Sequence, residues 1–187
     1  MNGKPMIPSL LALAMAIPLV AAPPTVNSMN TPPQFAHINN TFRFELAAPL
    51  ARAAPLFGPD GERCGAGKHW DPQLIYPQTV PGQPARDIEG AVFTVRHGAH
   101  TGIWVAAVFD LAAGRMQYVS VIPGLLLSVI DVRLTSIDPS RTTVVVTCAR
   151  TALSPTANDD VNGMGAADRQ SGTHWKQAIE ECLNPKR

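Results

Sequence analysis

Apolar and polar residues alternate along much of the chain after residue 41, and the period of that alternation predicts the elements. Phe42, Phe44 and Leu46 alternate with Arg43 and Glu45, which is the period of a strand with one buried face. The stretch "APLARAAPLFG" that follows carries Leu50, Ala53, Ala54 and Phe57 at helical spacing, so a short helix ending at Gly58-Pro59 is expected. A second short helix or turn spans Asp60 to Cys64, and Gly65, Gly67 and Pro72 stop it from growing. Six β-rich runs come next: "PQLIYP", "GAVFTVRH", "GIWVAAVFD", "RMQYVSVI", "LLLSVIDVRLTSI" and "TTVVVTCARTAL". Their short connections suit an antiparallel meander, because parallel strands need crossovers of a dozen residues or more. Ile130, Val132 and Leu134 mark a dry face against Asp131, Arg133 and Thr135, whereas "GIWVAAVFD" is apolar on both faces.

The pattern changes at Asn158. From there to Leu183, Val161, Met164, Ser171, Trp175, Ala178, Ile179 and Cys182 recur at spacings of three and four, the stripe of one long amphipathic helix. Asn158, Asp159 and Asp160 supply acceptors and negative charge for its first turn. Gly163, Gly165 and Gly172 weaken the first part of it, each by about 1 kcal/mol against Ala, so that part is either a lid or the helix starts late. One strand, two short helices, about six antiparallel strands and a final helix make an α+β order.

The first residues do not join this pattern. A single Lys4 precedes an apolar run from Met6 to Ala22 that ends in small residues, so residues 1–22 read as a signal peptide or, if uncleaved, an N-terminal hydrophobic anchor. Residues 23–34 are proline-rich and aperiodic, a linker. The folded domain is then residues 35–187. Export implies a periplasmic or secreted protein, with membrane tethering by the N-terminal segment as the alternative. Fifteen basic against fourteen acidic side chains, 15 to 14, and no charged run make nucleic acid and anionic membrane poor partners.

Candidate chemistry is sparse. Cys64 and His69 lie five residues apart in "GERCGAGKHWDP", but spacing alone supplies no base in reach and no oxyanion site, so a structural turn is the expectation. His97 and His100 flank a turn and with His69 would make three nitrogen ligands for zinc; solvated turn histidines are the simpler reading, and no metal or cofactor is expected. "GMGAAD" at 163–168 breaks the dinucleotide fingerprint at Asp168. Trp70, Trp104, Tyr118 and Trp175 are the large amphipathic rings, suited to the core or to lining a ligand. Counting by twos from Val144 and Val146 carries Cys148 and Arg150 to the inner face. There Arg150 either lies at the solvent end of its strand or anchors a ligand carboxylate or enolate.

The segments "PLFGPDGERCGAGKHWDPQLIYP", "EGAVFTVRHG", "IWVAAVFD", "YVSVIPG" and "TALSPTAN" resemble, in order, bacterial members of the START and polyketide-cyclase-like superfamily. The resemblance runs from about Phe35 to Leu183. It implies the helix-grip (SRPBCC) fold, in which a curved antiparallel sheet of about seven strands grips a long C-terminal helix and encloses a cavity, often for a hydrophobic ligand. On that basis Trp70, His97, Trp104, Tyr118, Arg150 and Trp175 are candidate ligand-binding residues, and no catalytic residue carries over. The expected partner is a lipid-, sterol- or polyketide-like small molecule, sequestered or transferred. A cyclase or dehydratase using Arg150 or a histidine is the rival, and an interaction protein with a filled cavity a third reading.

Three cysteines in an oxidising compartment allow one disulfide and one thiol. Strand and helix rises separate Cys148 from Cys182 by more than a bridge spans. The resemblance implies that the short helices support the far end of the last one, which brings Cys64 towards Cys182. Three free thiols is the alternative.

Overall fold

The computed structural model describes residues 34–66, 70–78, 82 and 87–184. The apolar segment 1–22, residues 23–33 of the linker, and His69 lie outside the described residues.

Seven strands form one antiparallel sheet: β1 (His37–Leu46), β2 (Gln73–Tyr76), β3 (Val92–His97), β4 (His100–Asp110), β5 (Arg115–Ile122), β6 (Leu126–Asp138) and β7 (Arg141–Ala152). Their order is β1-β7-β6-β5-β4-β3-β2, so a meander of six strands is completed by β1 pairing with the last of them. The alternation read from the sequence is the alternation of burial. Phe42, Phe44 and Leu46 face inward, with Ile130, Val132 and Leu134 of β6 and Val144, Val146 and Cys148 of β7 on the same face. In β4, apolar on both faces, Trp104 and Ala106 are buried while Ile103 is exposed. A register shift between Ala106 and Val108 marks a bulge there, which adds bend and twist to a strand.

Between β1 and β2 run two short helices, α1 (Leu50–Ala53) and α2 (Arg63–Ala66), with a 3-10 turn at Ala54–Phe57 continuing α1. Pro55 has no N–H to donate, and the segment tightens so that the Gly58 N–H reaches the Pro55 carbonyl.

The C-terminal stripe folds as two helices rather than one: α3 (Asn158–Asp168) and α4 (Ser171–Leu183), after a 3-10 turn at Pro155–Ala157. The expected single long helix is corrected by a break at Arg169 and Gln170. Its physical cause is local competition for the last carbonyls of α3. The Ala167 carbonyl accepts from the Gln170 N–H at 2.9 Å and from the Ser171 hydroxyl at 3.0 Å, side-chain and backbone bonds that offer the chain an exit from the helix. The glycines, costly to helix propensity, are used for contact. A methyl group on Gly165 would collide with Ile38 of β1, and the Asn40 amide donates to the Gly165 carbonyl at 3.0 Å. Helix α3 thus lies close on β1 and covers a small cluster around Ile122, Leu126, Ala152 and Val161. Helix α4 covers the main core, burying Ile179 and Leu183 against it. Among the described residues no helix is long and apolar enough to cross a membrane.

Candidate ligand cavity

The inner face of the sheet and α4 do not close on each other. A cavity of about 420 Å³ lies between them, bounded by Leu56, Phe57 and Glu62 on the β1–β2 connection, by Trp104 and Tyr118 on the sheet, and by Trp175 on α4. Trp70, Gly65, Ile130, Ala178, Ile179 and Cys182 complete most of the wall. The volume falls within the range of about 300 to 1,000 Å³ usual for small-molecule sites.

Aromatic packing explains why the space persists. Phe93 and Trp104 stack at 6.0 Å between ring centroids, Trp70 meets Trp104 edge-on at 5.4 Å, and Tyr118 meets Phe93 edge-on at 6.4 Å. Trp175 leans on Phe42 at 5.6 Å and on Phe57 at 6.2 Å. Rigid rings propped against one another fix the wall without filling the centre. Two hydrogen bonds tie the β1–β2 connection to this framework: the Tyr118 hydroxyl donates to the Phe57 carbonyl at 2.8 Å, and the Trp70 indole donates to the Pro59 carbonyl at 2.9 Å. Burial holds the Tyr118 hydroxyl well above the ordinary tyrosine range, with the acids Glu62 and Asp87 adding to the effect.

Helix α2 is clamped onto α4. Cys64 and Cys182 form a disulfide, with Cα atoms 5.7 Å apart. One residue on, Gly65 sits so close to Ala178 that a Cβ would stand 2.7 Å from its carbonyl oxygen, so only glycine allows this approach. Cys148 is free and buried. Burial pushes its thiol up to about 11, which keeps it an unreactive core residue.

The polar groups of the cavity differ from those expected. Trp70, Trp104, Tyr118 and Trp175 all line it. Arg150 does not: its guanidinium grips Asp168 of α3 through two bonds of 2.7 Å and the Ser128 hydroxyl at 3.0 Å. With Asp168 6% exposed this is a buried ion pair, and a guanidinium so engaged has no free edge for a ligand. His97 is exposed at the end of β3, its ring 6.0 Å from Trp104, and burial and the Arg150 charge lower its pKa. It is not among the wall residues. Among the described residues no three His, Cys, Asp or Glu side chains cluster as a metal site.

Glu62 is the group that periodicity missed. Glu62 lines the cavity, and its carboxyl makes no hydrogen bond or ion pair among the described residues. The nearest basic residue in sequence, Arg63, is turned away onto Asp60 at 3.1 Å, Asp71 at 2.5 Å and the Pro72 carbonyl. Although the residue keeps some surface, burial, helped by the negative charge of neighbouring Asp87, pushes the carboxyl up to about 8. Asp87 is itself raised, chiefly by burial, while accepting the Asp60 N–H at 3.2 Å. The one clue in the sequence is spacing. Glu62 lies three residues before Gly65, hence on the same side of the turn that meets α4.

The Trp104 indole, a candidate already by its type, turns its nitrogen away from the cavity towards Gly102. The side chain is 7% exposed, and its Nε1–H is buried with no hydrogen-bond partner among the described residues. An unmade buried hydrogen bond of this kind costs about 1 to 3 kcal/mol.

No protein-family model matches the chain, and no curated protein matches it. Solved structures do. A norcoclaurine synthase from Thalictrum flavum superposes with a TM-score of 0.57 at 7% identity, over 81% of this chain and 89% of its own. Ara h 8.0201 does so at 0.57 and 14%, over 81% and 100%. An uncharacterised protein from Rhizobium leguminosarum gives 0.55 at 16%, over 79% and 97%. The chain therefore has the helix-grip fold of the SRPBCC and Bet v 1-like proteins, and identities this low speak for the fold alone.

Proposed function

We propose that this chain is an exported binding protein that holds one hydrophobic or amphipathic small molecule between the sheet and α4, for sequestration or transfer. The observation that carries this reading is the 420 Å³ cavity walled by aromatic and aliphatic side chains. Burial in such a site supplies affinity, and one or two polar groups supply orientation. Export rests on the N-terminal sequence pattern, and a disulfide at Cys64 and Cys182 suits an oxidising compartment. The norcoclaurine synthase has also been solved with dopamine and hydroxybenzaldehyde bound, which supports a ligand in the same fold.

A second reading, an enzyme of cyclase or dehydratase type, is favoured by Glu62, since a carboxyl that titrates near 8 is matched to proton transfer at neutral pH. Native mass spectrometry of the full chain purified from its own host tests both. A single co-purifying mass at one per chain, absent from an Ile130→Trp variant that fills the cavity and keeps its melting temperature, is the expected result. A wild type that carries no ligand and takes up no apolar fluorophore would refute the binding reading. Conversion of the bound molecule on incubation would favour the enzyme.

A further inference from the structure

One stretch of the cavity wall is fastened to α4 by a single covalent bond. We propose that the Cys64–Cys182 disulfide is a redox latch: reduction by a dithiol frees residues 60–65 from α4 and opens the wall for entry and release of the ligand. This deepens the binding reading above, as the regulation of the same site, and rests on it.

Composition makes this stretch a lid rather than part of the core. Asp60, Gly61, Glu62, Arg63, Cys64 and Gly65 include no aliphatic or aromatic side chain, yet Gly61, Glu62 and Gly65 stand in the cavity wall. Hydrophobic burial therefore does little to hold the stretch down. Its polar bonds do not fasten it to α4 either. Arg63 binds Asp60, Asp71 and the Pro72 carbonyl, and the Glu62 and Gly65 N–H groups reach the Gly58 and Glu62 carbonyls, all within the β1–β2 connection. The Asp60 N–H on Asp87, at 3.2 Å, fixes the hinge end. Among the described residues no hydrogen bond or ion pair crosses from residues 60–65 to α4. What crosses is the sulfur bridge, with the van der Waals contact of Gly65 on Ala178 beside it. Helix α4 has its own hold on the domain: Ile179 and Leu183 are buried, and the Arg52 guanidinium donates to the Leu183 carbonyl at 3.0 Å. Cutting the bridge thus releases the lid and leaves the helix in place.

The bridge is placed where a dithiol can reach it. Cys64 is an exposed residue of α2, and Cys182 is half-buried on α4, where it lines the cavity. A thiolate of the dithiol attacks the Cys64 sulfur, and Cys182 leaves as a thiolate. The donor's second thiol then displaces Cys64 and closes the donor's own disulfide. Two electrons and two protons pass from the dithiol to the pair of cysteines, so one S–S bond breaks for one that forms. Cys148, buried in the core, takes no part.

Stopped-flow fluorescence of N-phenyl-1-naphthylamine with the full chain, oxidised or treated with dithiothreitol, tests the latch. Reduction should speed association and release of the probe by about tenfold each and change its Kd by less than about threefold, the signature of a lid that gates access. Reoxidation should restore the slow rates. Cys64→Ser with Cys182→Ser should be fast in either condition. On reduction, amide hydrogen exchange should rise in residues 60–65 and stay unchanged in β4 to β7. Equal rates in the oxidised and reduced protein would overturn the latch and leave the binding reading standing. So would exchange rising across the strands, or loss of near-ultraviolet circular dichroism on reduction, because the bond would then be a staple of the whole fold. Failure of the probe to bind in either state would bring down both.

Discussion

Replacing Glu62 by glutamine should stabilise the fold at neutral pH, and the size of the gain follows from proton linkage. In the unfolded chain the carboxyl titrates at its ordinary value of about 4.5, and in the fold burial pushes it to about 8. Between these two values the folded protein holds a proton that the unfolded chain has released. Stability therefore falls as pH rises through that window, and levels off above it. One unit is worth about 1.4 kcal/mol, so by pH 7 the wild type has lost up to about 3 kcal/mol relative to pH 4.5. Solvent reaching this partly exposed residue screens part of this and leaves about 2 to 3 kcal/mol by pH 8. Glutamine keeps the volume and the hydrogen-bonding capacity but does not titrate, so it serves as the reference. Asp87 is present in both proteins and its own raised pKa largely cancels in the difference. Urea unfolding of wild type and Glu62→Gln at pH 5, 6, 7, 8 and 9 should give a difference near zero at the acid end, widening to about 2 to 3 kcal/mol and then flat. A difference that stays constant across that range would refute the argument, because it would mean that the carboxyl is hydrated like a surface acid. A difference of the opposite sign would reveal a cation partner and refute it more directly.

The remaining predictions concern what holds the cavity open. Cys64→Ser with Cys182→Ser should lower unfolding free energy by about 2 to 4 kcal/mol, since the bridge closes a sequence separation of 118 residues, and urea denaturation checks it. Asp168→Asn leaves the Arg150 guanidinium half-buried without its counter-charge and should cost about 3 kcal/mol, whereas Arg150→Met with Asp168→Leu should recover much of that loss. Trp175→Ala removes the ring that leans on Phe42 and Phe57. Because Trp175 is only half-buried, the expected loss is about 2 to 3 kcal/mol rather than the 3 to 5 of a fully buried aromatic, read from the same unfolding curves.

Legibility from sequence tracked how local each determinant is. The strands were readable because a half-buried sheet writes its two-residue period into side chains such as Phe42, Phe44 and Leu46 or Ile130, Val132 and Leu134. The antiparallel order followed from loop length. The break between α3 and α4 was not readable as a break, since Val161 to Cys182 keeps helical spacing across it and the cause is a contest for the Ala167 carbonyl. The aromatic wall was half legible: Trp70, Trp104, Tyr118 and Trp175 stand out by type, but rings of this kind fill cores as often as they frame cavities. For Arg150 the strand period leaves open the solvent end of β7 or a ligand anchor and hides its partner within the chain, because Asp168 reaches it only once α3 lies on β1. Glu62 was missed for the same reason in reverse. A lone acid after Asp-Gly reads as surface, and only the placement of α2 under α4 turns it towards the cavity.

An apolar cavity is unstable by itself, since sliding α4 down onto the sheet would bury its walls and recover dispersion contacts. The structure opposes that motion from both ends of the C-terminal segment. At the far end, the Cys64–Cys182 bond and the Gly65 contact with Ala178 tie α4 to α2. At the near end, Arg150 and Ser128 hold α3 to β7 and β6 through Asp168 and the guanidinium. The break at Arg169 and Gln170 then lets α3 lie flat on β1 while α4 stays at the distance set by Trp175, which a single straight helix would have to compromise. Helix propensity given up at Gly165 and at the break is thus offset by two anchored contacts, and the space left between α4 and the sheet is the cavity that Glu62, Trp104 and Trp175 line.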